Sequence, residues 1–238
     1  MLMDSPLPPP LSHIRTLLAA LGPERIWRPV PAPDGSLLAP GDGCDLRDLE
    51  GYLGNLDVAG KTVADLGCNL GYFTFLARRC GATRVLGLDS DPEIIHIAGQ
   101  LATLHRLTDV TFTACDFLRQ APPSPCDMAL LIDFIGRRII TKGRIGLVAT
   151  AAKHWGAHEL FFTLRPIYQL SDLPASPDLL QAHYPGFVRG DAFYLADALA
   201  HALGPDWSLR YLTDGRFAAS VDQRCHKAAL LFTRHASR

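Results

Sequence analysis

The 238-residue sequence lacks the marks of a disulfide-bonded, zinc-binding or membrane-spanning protein. Its six cysteines include no C-x-x-C pair, so we expect free thiols in a reducing cytoplasm rather than a disulfide framework. The N-terminus, MLMDSPLPPPLSH, has an acid and several prolines where a signal peptide needs a basic patch and an apolar run. No stretch approaches the length of a membrane span. These absences predict a cytoplasmic protein with no membrane partner.

An excess of positive charge is also missing. Lysine and arginine together number 23 against 24 acidic residues, which gives a formal net charge of −1. Proteins that gain affinity by neutralising phosphates are markedly basic, so nucleic acid is not an expected partner. What the sequence does have is 48% hydrophobic and 20% charged residues. That composition is typical of a globular protein, and the length suits one large domain with or without a small extension.

Apolar segments and helical patterns alternate from Lys61 onward. Asp91 and Pro92 form the start signal of one predicted helix. No helical pattern separates the last two apolar segments, so these two are expected to pair antiparallel. Strands are predicted at residues 61–66, 84–89, 110–116, 127–133, 159–165, 208–214 and 227–233. The alternation predicts an α/β protein with a Rossmann-like seven-stranded sheet, six strands parallel and the last antiparallel, with helices on both faces.

Two segments depart from this alternation. Residues 1–45 are predicted to be an N-terminal extension, with a helix capped by Ser12 and a Pro- and Gly-rich stretch that permits only a hairpin. Residues 46–238 form the predicted domain, which includes a Pro- and aromatic-rich insertion at about 166–190. Within this domain, single helical segments are expected at 136–155 and 191–203.

The stretch TVADLGCNLGYF, residues 62–73, passes from a predicted strand through a glycine turn into a predicted helix. In the dinucleotide pattern G-x-G-x-x-G, the second and third glycines let a pyrophosphate and the strand approach closely. Asn69 and Tyr72 occupy these two positions, which argues against NAD, NADP and FAD, and no G-K-[ST] follows to form a P-loop. Interpreted as D-x-G-x-x-x-G, with Asp65, Gly67 and Gly71, the turn suits a ligand without phosphates.

Three acidic residues end three successive predicted strands. Asp89 follows Asp65 by 24 positions, near the spacing expected for an acid that accepts hydrogen bonds from ribose hydroxyls. Asp116 ends the next strand, where its carboxylate can accept from an adenine amino group while Phe117 lies beside the ring. A single such Asp is most simply a turn former, but two in register with the glycine turn favour a binding site.

These motifs resemble a known family. VADLGCNLGYF, VLGLDSDPEII and TACDF are similar to the first three motifs of class I S-adenosylmethionine (SAM)-dependent methyltransferases. The resemblance covers about residues 56–231 and implies a SAM cofactor, with Gly67 and Gly71 beside the methionine moiety and Asp65 ordering the loop. The candidate cofactor-binding residues are Asp65, Gly67, Cys68, Asn69, Gly71, Asp89, Ser90, Asp116, Phe117 and Asp133.

A second resemblance concerns the N-terminal extension. IWRPVPAPDGSLLAPGDG, followed by a helix and the glycine turn, is similar to the approach segment of methyltransferases related to the tRNA wobble-uridine carboxymethyltransferase group. In that group the segment packs over the cofactor, which implies that Trp27, Leu37 and Leu38 are lid residues here. The same resemblance implies a carboxylated SAM derivative as an alternative cofactor.

The chemistry is expected at the carboxyl edge of the sheet. Methyl transfer from an activated sulfonium mainly requires alignment and a dry site, so the absence of a catalytic triad is no objection. Asp133 ends the fourth predicted strand and is the candidate to hold the cofactor ammonium, bind substrate or act as a base, with a helix cap as the alternative. The candidate substrate residues are Arg137, Arg165, Tyr168 and His183. Further candidates by position are Arg138, Tyr184 and Phe187, and, in the final hairpin loop, Arg216, Phe217 and Gln223.

His154 and His158 have the i, i+4 spacing of a helical metal site. Gly156 interrupts the helix between them, and they lie at the opposite edge of the predicted sheet, so no metal is expected.

The leading functional hypothesis is SAM-dependent methylation of a small-molecule acceptor. One alternative is an RNA-modifying enzyme of the wobble-uridine type. Another, from a different class, is a SAM-binding partner or regulatory subunit without catalysis.

Overall fold

The computed structural model describes residues 9–41, 46–213 and 227–235. The helices are α1 (Leu11–Leu21), α2 (Leu46–Gly54), α3 (Tyr72–Arg79), α4 (Pro92–Leu104), α5 (Arg137–Thr141), α6 (Ile145–Trp155), α7 (Pro177–His183) and α8 (Leu195–Leu203). The strands are β1 (Val30–Pro31), β2 (Leu37–Ala39), β3 (Thr62–Leu66), β4 (Arg84–Asp89), β5 (Val110–Ala114), β6 (Cys126–Ile132), β7 (Gly156–Leu164), β8 (Ile167–Gln169), β9 (Val188–Arg189), β10 (Ala192–Tyr194), β11 (Trp207–Tyr211) and β12 (Ala228–Arg234).

Seven of these strands form the main sheet, in the order β11-β12-β7-β6-β3-β4-β5. The pairs β3–β4, β4–β5 and β6–β7 are parallel, whereas β12 runs antiparallel to both of its neighbours, β7 and β11. The predicted α/β class is therefore confirmed, including the antiparallel last strand. Of the helices in the described residues, none has the length and hydropathy needed to cross a bilayer.

The chain divides into two units, residues 1–117 and 118–238. In the first unit, β3, β4 and β5 alternate with α3 and α4, and α1 buries Ile14, Leu18 and Leu21. The hairpin that the sequence permits in the N-terminal extension is present as the antiparallel pair β1–β2. The predicted cap at Ser12 is wrong, because α1 begins at Leu11 after Pro10 and Ser12 lies inside the helix.

In the second unit, β6, β7, β12 and β11 carry α6 and α8, and the insertion adds regular structure of its own. Strand β10 lies between β8 and β9 in a small antiparallel sheet. Residues 192–194 were expected to be helical, but they pair with β8 and become β10, so tertiary pairing overrides helix propensity here.

The helix predicted over 136–155 is divided into α5 and α6. Gly143 lies between them with a φ of 68°, a left-handed conformation that ends a helix. At the other end, α6 passes directly into β7 at Gly156, so this strand begins three residues before the predicted start. A Cβ at Gly156 would lie 2.9 Å from the Ala129 backbone nitrogen, which explains why glycine allows this abrupt change of direction.

Candidate functional site

The glycine turn after β3 contains three residues with left-handed backbone conformations. Gly67, Asn69 and Gly71 have φ values of 83°, 49° and 86°. The backbone N–H of Gly67 donates to the carbonyl of Leu88 at 2.8 Å, which binds the turn to the end of β4. A Cβ at Gly71 would lie 2.5 Å from the ring of Phe112, so this position requires glycine for space as well as for conformation.

Asp65 lies beneath this turn and is almost completely buried, with 2% of its surface exposed. The hydroxyl of Thr74 donates to its carboxylate at 2.6 Å and so connects the end of β3 to the first turns of α3. Burial raises the pKa of Asp65 to about 6, an effect that the hydrogen bond from Thr74 partly opposes. The contact with Thr74 joins β3 to α3, and the role of Asp65 in ordering the loop stays a prediction.

Asp89 is the last residue of β4, and its carboxylate is half-buried. One oxygen, Oδ2, accepts from the backbone N–H of Asn69 at 3.1 Å, and the other, Oδ1, accepts from that of Asp91 at 3.1 Å. A carboxylate has about four acceptor positions, so these two bonds leave roughly two for hydroxyl groups of a ligand. Asp91 itself caps α4 through Glu93 and Ile94, as predicted.

The remaining candidate cofactor residues of the first unit differ in exposure. Asp116 is half-buried and lies two residues beyond the end of β5 instead of within the strand, while Phe117 is buried. Ser90 is exposed. Cys68 is buried, and burial raises the pKa of its thiol well above the usual value, so this thiol stays protonated.

The side-chain amide of Asn69 binds the backbone of the N-terminal extension. Its Nδ2 donates to the carbonyl of Arg25 at 3.0 Å, and its Oδ1 accepts from the backbone N–H of Trp27 at 3.4 Å. Sequence reasoning used Asn69 as an argument against a dinucleotide and as a candidate cofactor residue, and it missed this contact. The signal was available, because an amide carries both a donor and an acceptor and a glycine carries neither on its side chain.

A second contact holds the same segment against α4. The guanidinium of Arg25 pairs with Asp91 at 2.6 Å and with Glu93 at 2.7 Å. The side chain of Trp27 remains 60% exposed and that of Leu37 52% exposed, whereas Leu38 is half-buried. The extension thus contacts both sides of Asp89, at the glycine turn and at the start of α4.

Tyr72 does not occupy the contact between helix and strand that a dinucleotide motif would reserve for glycine. It opens α3, and its hydroxyl donates to the carboxylate of Glu50 in α2. Burial, followed by the hydrogen bond to Glu50, raises the pKa of Tyr72 to about 12.

In the second unit, Asp133 follows β6 directly and has a left-handed φ of 57°. Such a conformation in a non-glycine residue is uncommon and often marks a functional site. Its carboxylate accepts from the hydroxyl of Thr163 at 2.9 Å and pairs with the ammonium of Lys227 at 2.5 Å. Lys227 was not among the predicted site residues.

Arg165 and Tyr168 lie at the end of β7 and in β8. The guanidinium of Arg165 pairs with Asp172 at 2.7 Å and lies 4.9 Å from the centre of the Tyr168 ring. Burial raises the pKa of Tyr168, while the charges of Arg165, Arg137 and Lys227 act to lower it. Arg165 therefore contacts Tyr168, and the charges of Arg137 and Lys227 act on the same phenol.

His183 is not brought to this cluster by any contact in the described residues. It ends α7 and lies against Gly143, where an added Cβ would be 2.8 Å from its Nδ1. His154 and His158 lie in α6 and in β7, so they do not share a helix face. In the described part of the chain, no group of three or more His, Cys, Asp or Glu side chains is arranged to hold a metal ion. The predicted residues Arg216, Phe217 and Gln223 lie outside the described residues.

Comparison with known proteins agrees with this geometry. A family model described as a methyltransferase domain matches residues 57–146, which contain the glycine turn, Asp89 and Asp133. These 90 residues, about two fifths of the chain, are similar to a methyltransferase domain. The methyltransferase superfamily inferred from the three motifs is therefore confirmed.

Two ribosomal methyltransferases resemble this domain in sequence or in fold. The chain is 37% identical over 91 residues to a ribosomal protein L11 methyltransferase of Aeromonas hydrophila. The aligned region covers 35% of this chain and 31% of that protein. It therefore spans about a third of the length of this curated relative. A solved ribosomal protein L11 methylase from Lactobacillus delbrueckii subsp. bulgaricus matches with a TM-score of 0.51 and 18% identity, covering 83% of each chain.

A further solved structure is magnesium protoporphyrin IX methyltransferase from Synechocystis PCC 6803 with bound SAM. It matches with a TM-score of 0.51 and 16% identity, covering 80% of this chain and 78% of the other. At 18% and 16% identity, the two solved structures show the fold alone and carry no information about substrate or activity.

Proposed function

We propose that this chain is a SAM-dependent methyltransferase that acts on a small-molecule acceptor. The observation that carries the proposal is Asp89, which ends β4 beside the glycine turn and retains acceptor positions after binding two backbone N–H groups. Ribose hydroxyls are donors of the kind that such a carboxylate accepts in Rossmann-like folds.

The other residues of the first unit fit the same cofactor. Gly67 and Gly71 would line the methionine moiety, and Asp116 and Phe117 would receive the adenine. Asn69 binds polypeptide at the place where a dinucleotide motif accommodates a pyrophosphate, which favours a ligand without phosphates. SAM supplies a methyl group that is already activated on a sulfonium, so this chain mainly has to bind, align and exclude water.

We propose SAM itself, rather than a carboxylated derivative, as the cofactor, since the similar Synechocystis structure holds SAM. We also propose that residues 1–45 act as a lid, because the segment at Arg25 and Trp27 is hydrogen-bonded to the glycine turn. The exposed side chains of Trp27 and Leu37 are then available to cover a ligand.

Asp133 is the proposed catalytic residue of the second unit. Its carboxylate is oriented by Thr163 and by Lys227, so that it can hold a cation or accept a proton from an acceptor group. A small-molecule acceptor is favoured by the near-zero net charge of the chain, which provides little general attraction for nucleic acid.

Cofactor binding is tested by calorimetry with SAM and with S-adenosylhomocysteine. We expect Asp89→Asn to weaken both by roughly 100-fold or more, because two hydrogen bonds to a charged acceptor become bonds to a neutral amide. Asp109→Asn is the matched control, since Asp109 precedes β5 at the amino edge of the same sheet and pairs with Arg78. Equal losses of SAM affinity in the two variants, or no loss in either, would refute the proposed role of Asp89 in binding SAM.

The acceptor class is tested by measuring S-adenosylhomocysteine formed from SAM in three separate mixtures. One contains a low-molecular-weight metabolite extract, one total tRNA and one purified ribosomal protein L11. We expect turnover with the metabolite extract and its loss in Asp133→Asn. Turnover with tRNA or L11 alone would replace the small-molecule proposal, and SAM binding without turnover in any mixture would favour the non-catalytic alternative.

A further inference from the structure

Three strand ends in the second unit place charged residues at one edge of the sheet. Because β6 and β7 are parallel, with Ile132 opposite Thr163, Asp133 and Arg165 both follow the carboxyl ends of their strands. Because β12 is antiparallel to β7, with Ala228 opposite Leu164, the residue before its first position lies at the same edge. That residue is Lys227, and its 2.5 Å pair with Asp133 confirms the convergence.

Tyr168 lies beside this edge and has an unusual combination of properties. The residue is 7% exposed, and its strand is held in the small sheet by pairing with Phe193 of β10. Arg165 lies over its ring, and Arg165 is in turn fixed by Asp172 and by the carbonyl of Ile167 at 3.0 Å. The hydroxyl of Tyr168 forms no hydrogen bond with the described residues, and it is open to solvent, because no buried side-chain oxygen or nitrogen among those residues lacks a partner.

Among the described residues that act on this hydroxyl, one cation has no ion pair. Lys227 pairs with Asp133, and Arg165 pairs with Asp172. Arg137, which opens α5 four residues after Asp133, is exposed and forms no ion pair with the described part of the chain. Its charge nevertheless reaches Tyr168, where it acts to lower the pKa of the phenol.

We propose that the Tyr168 hydroxyl and the Arg137 guanidinium form a subsite for an anionic oxygen group of the methyl acceptor, a carboxylate or a phosphate. Such a group can accept a hydrogen bond from the solvent-accessible Tyr168 hydroxyl and pair with the Arg137 guanidinium. Asp133 lies beside the subsite and disfavours a second negative charge there, so the acceptor carries its anionic group at Tyr168 and presents a less charged part to Asp133. The inference rests on the proposed function and narrows its substrate to acidic small molecules.

Arg165 has a different role from the one that the sequence predicted. Its three contacts with Asp172, Ile167 and the Tyr168 ring leave it fixed within the insertion. It is a positioning residue that holds the Tyr168 ring, whereas Arg137 is the cation available to a ligand.

Binding of simple anions tests the subsite without any turnover. Inorganic phosphate and malonate are titrated into the protein by calorimetry, with malonamide as the neutral analogue of malonate. We expect saturable binding of at least one anion, no binding of malonamide, and a loss of roughly tenfold or more in Tyr168→Phe and in Arg137→Gln. Preference for malonate or for phosphate distinguishes a carboxylate from a phosphate acceptor.

Arg138→Gln is the matched control, because Arg138 is the next residue of α5 and is also exposed. If it weakens binding as much as Arg137→Gln does, or if Tyr168→Phe binds as tightly as the native protein, the anions bind only by general surface attraction and the subsite is refuted.

Turnover provides the second arm of the test. The metabolite extract is divided by anion exchange, and formation of S-adenosylhomocysteine is measured with the retained and the unretained fractions. We expect activity with the retained fraction, reduced in Tyr168→Phe. Activity confined to the unretained fraction would overturn the anionic acceptor while leaving methyl transfer intact. Absence of SAM binding in the calorimetric test of Asp89 would instead overturn the proposed function.

Discussion

Asn69→Gly places a third glycine between Gly67 and Gly71 in the turn, yet we expect it to loosen the N-terminal segment. The substitution removes both hydrogen bonds from the Asn69 amide, the one to the carbonyl of Arg25 at 3.0 Å and the one from the backbone N–H of Trp27 at 3.4 Å. The glycine keeps the left-handed backbone conformation at this position without strain. The loop should therefore keep its shape while the segment above it opens more often.

The size of the effect follows from the two lost bonds. Each intramolecular hydrogen bond contributes a net of about 0.5–1.5 kcal/mol, so the free energy of opening should fall by about 1–3 kcal/mol. At about 1.4 kcal/mol for each factor of ten, this corresponds to a roughly 5- to 150-fold rise in the open population. The global free energy of unfolding should change less, because relief of backbone strain at position 69 offsets part of the loss.

Hydrogen exchange of the Trp27 backbone amide measures this opening directly, since that N–H is the donor to Asn69. Fluorescence gives a second readout, because Trp27 is 60% exposed whereas Trp155 and Trp207 are buried. We expect faster exchange at Trp27 in Asn69→Gly, and no change in Asp34→Ala, which removes only a contact within the neighbouring β1–β2 turn. Unchanged exchange at Trp27 in Asn69→Gly would refute the reasoning.

Much of the fold was predictable because the parallel strands are apolar along most of their length and the helices between them carry clear signals. Asp91 and Pro92 correctly predict the start of α4. The antiparallel direction of the last strand follows from the absence of a helical pattern before it. The errors occur where tertiary contacts decide the outcome. Residues 192–194 have helix-forming neighbours but pair with β8, and α6 runs into β7 because Gly156 lets two backbones approach closely.

The candidate site shows the same division. Asp65, Asp89 and the two glycines stand at positions that periodicity and spacing identify. The contact between Asn69 and the N-terminal extension joins residues more than 40 positions apart, and no local pattern predicts it. Lys227 was within reach of sequence reasoning, because an antiparallel last strand must begin at the edge where the parallel strands end. The pairing of Lys227 with Asp133 also depends on the strand order, which the sequence pattern does not contain.

Two further substitutions test the glycine turn and the acid beneath it. Gly71→Ala should lower the free energy of unfolding by about 2–5 kcal/mol, because its Cβ would meet the Phe112 ring and its φ of 86° disfavours a side chain. Gly60→Ala is the control: its φ is 76° but the space around it is open, so urea unfolding should show a loss of only about 1–2 kcal/mol. Asp65 has a pKa of about 6 in the folded protein against a usual value of 3.8, so the folded state binds a proton between those values that the unfolded chain does not. Burial of the ionised carboxylate therefore lowers the free energy of unfolding by about 3 kcal/mol at pH values above about 6. This penalty is lost as the pH falls from about 6 to below 3.8. Asp65→Asn cannot ionise and keeps an oxygen acceptor for Thr74, so the stability of the native protein relative to this variant should rise by about 2 kcal/mol between pH 7 and pH 4. Urea unfolding of both proteins across that range measures the difference, and a constant difference would show that Asp65 is ionised in the fold at no cost.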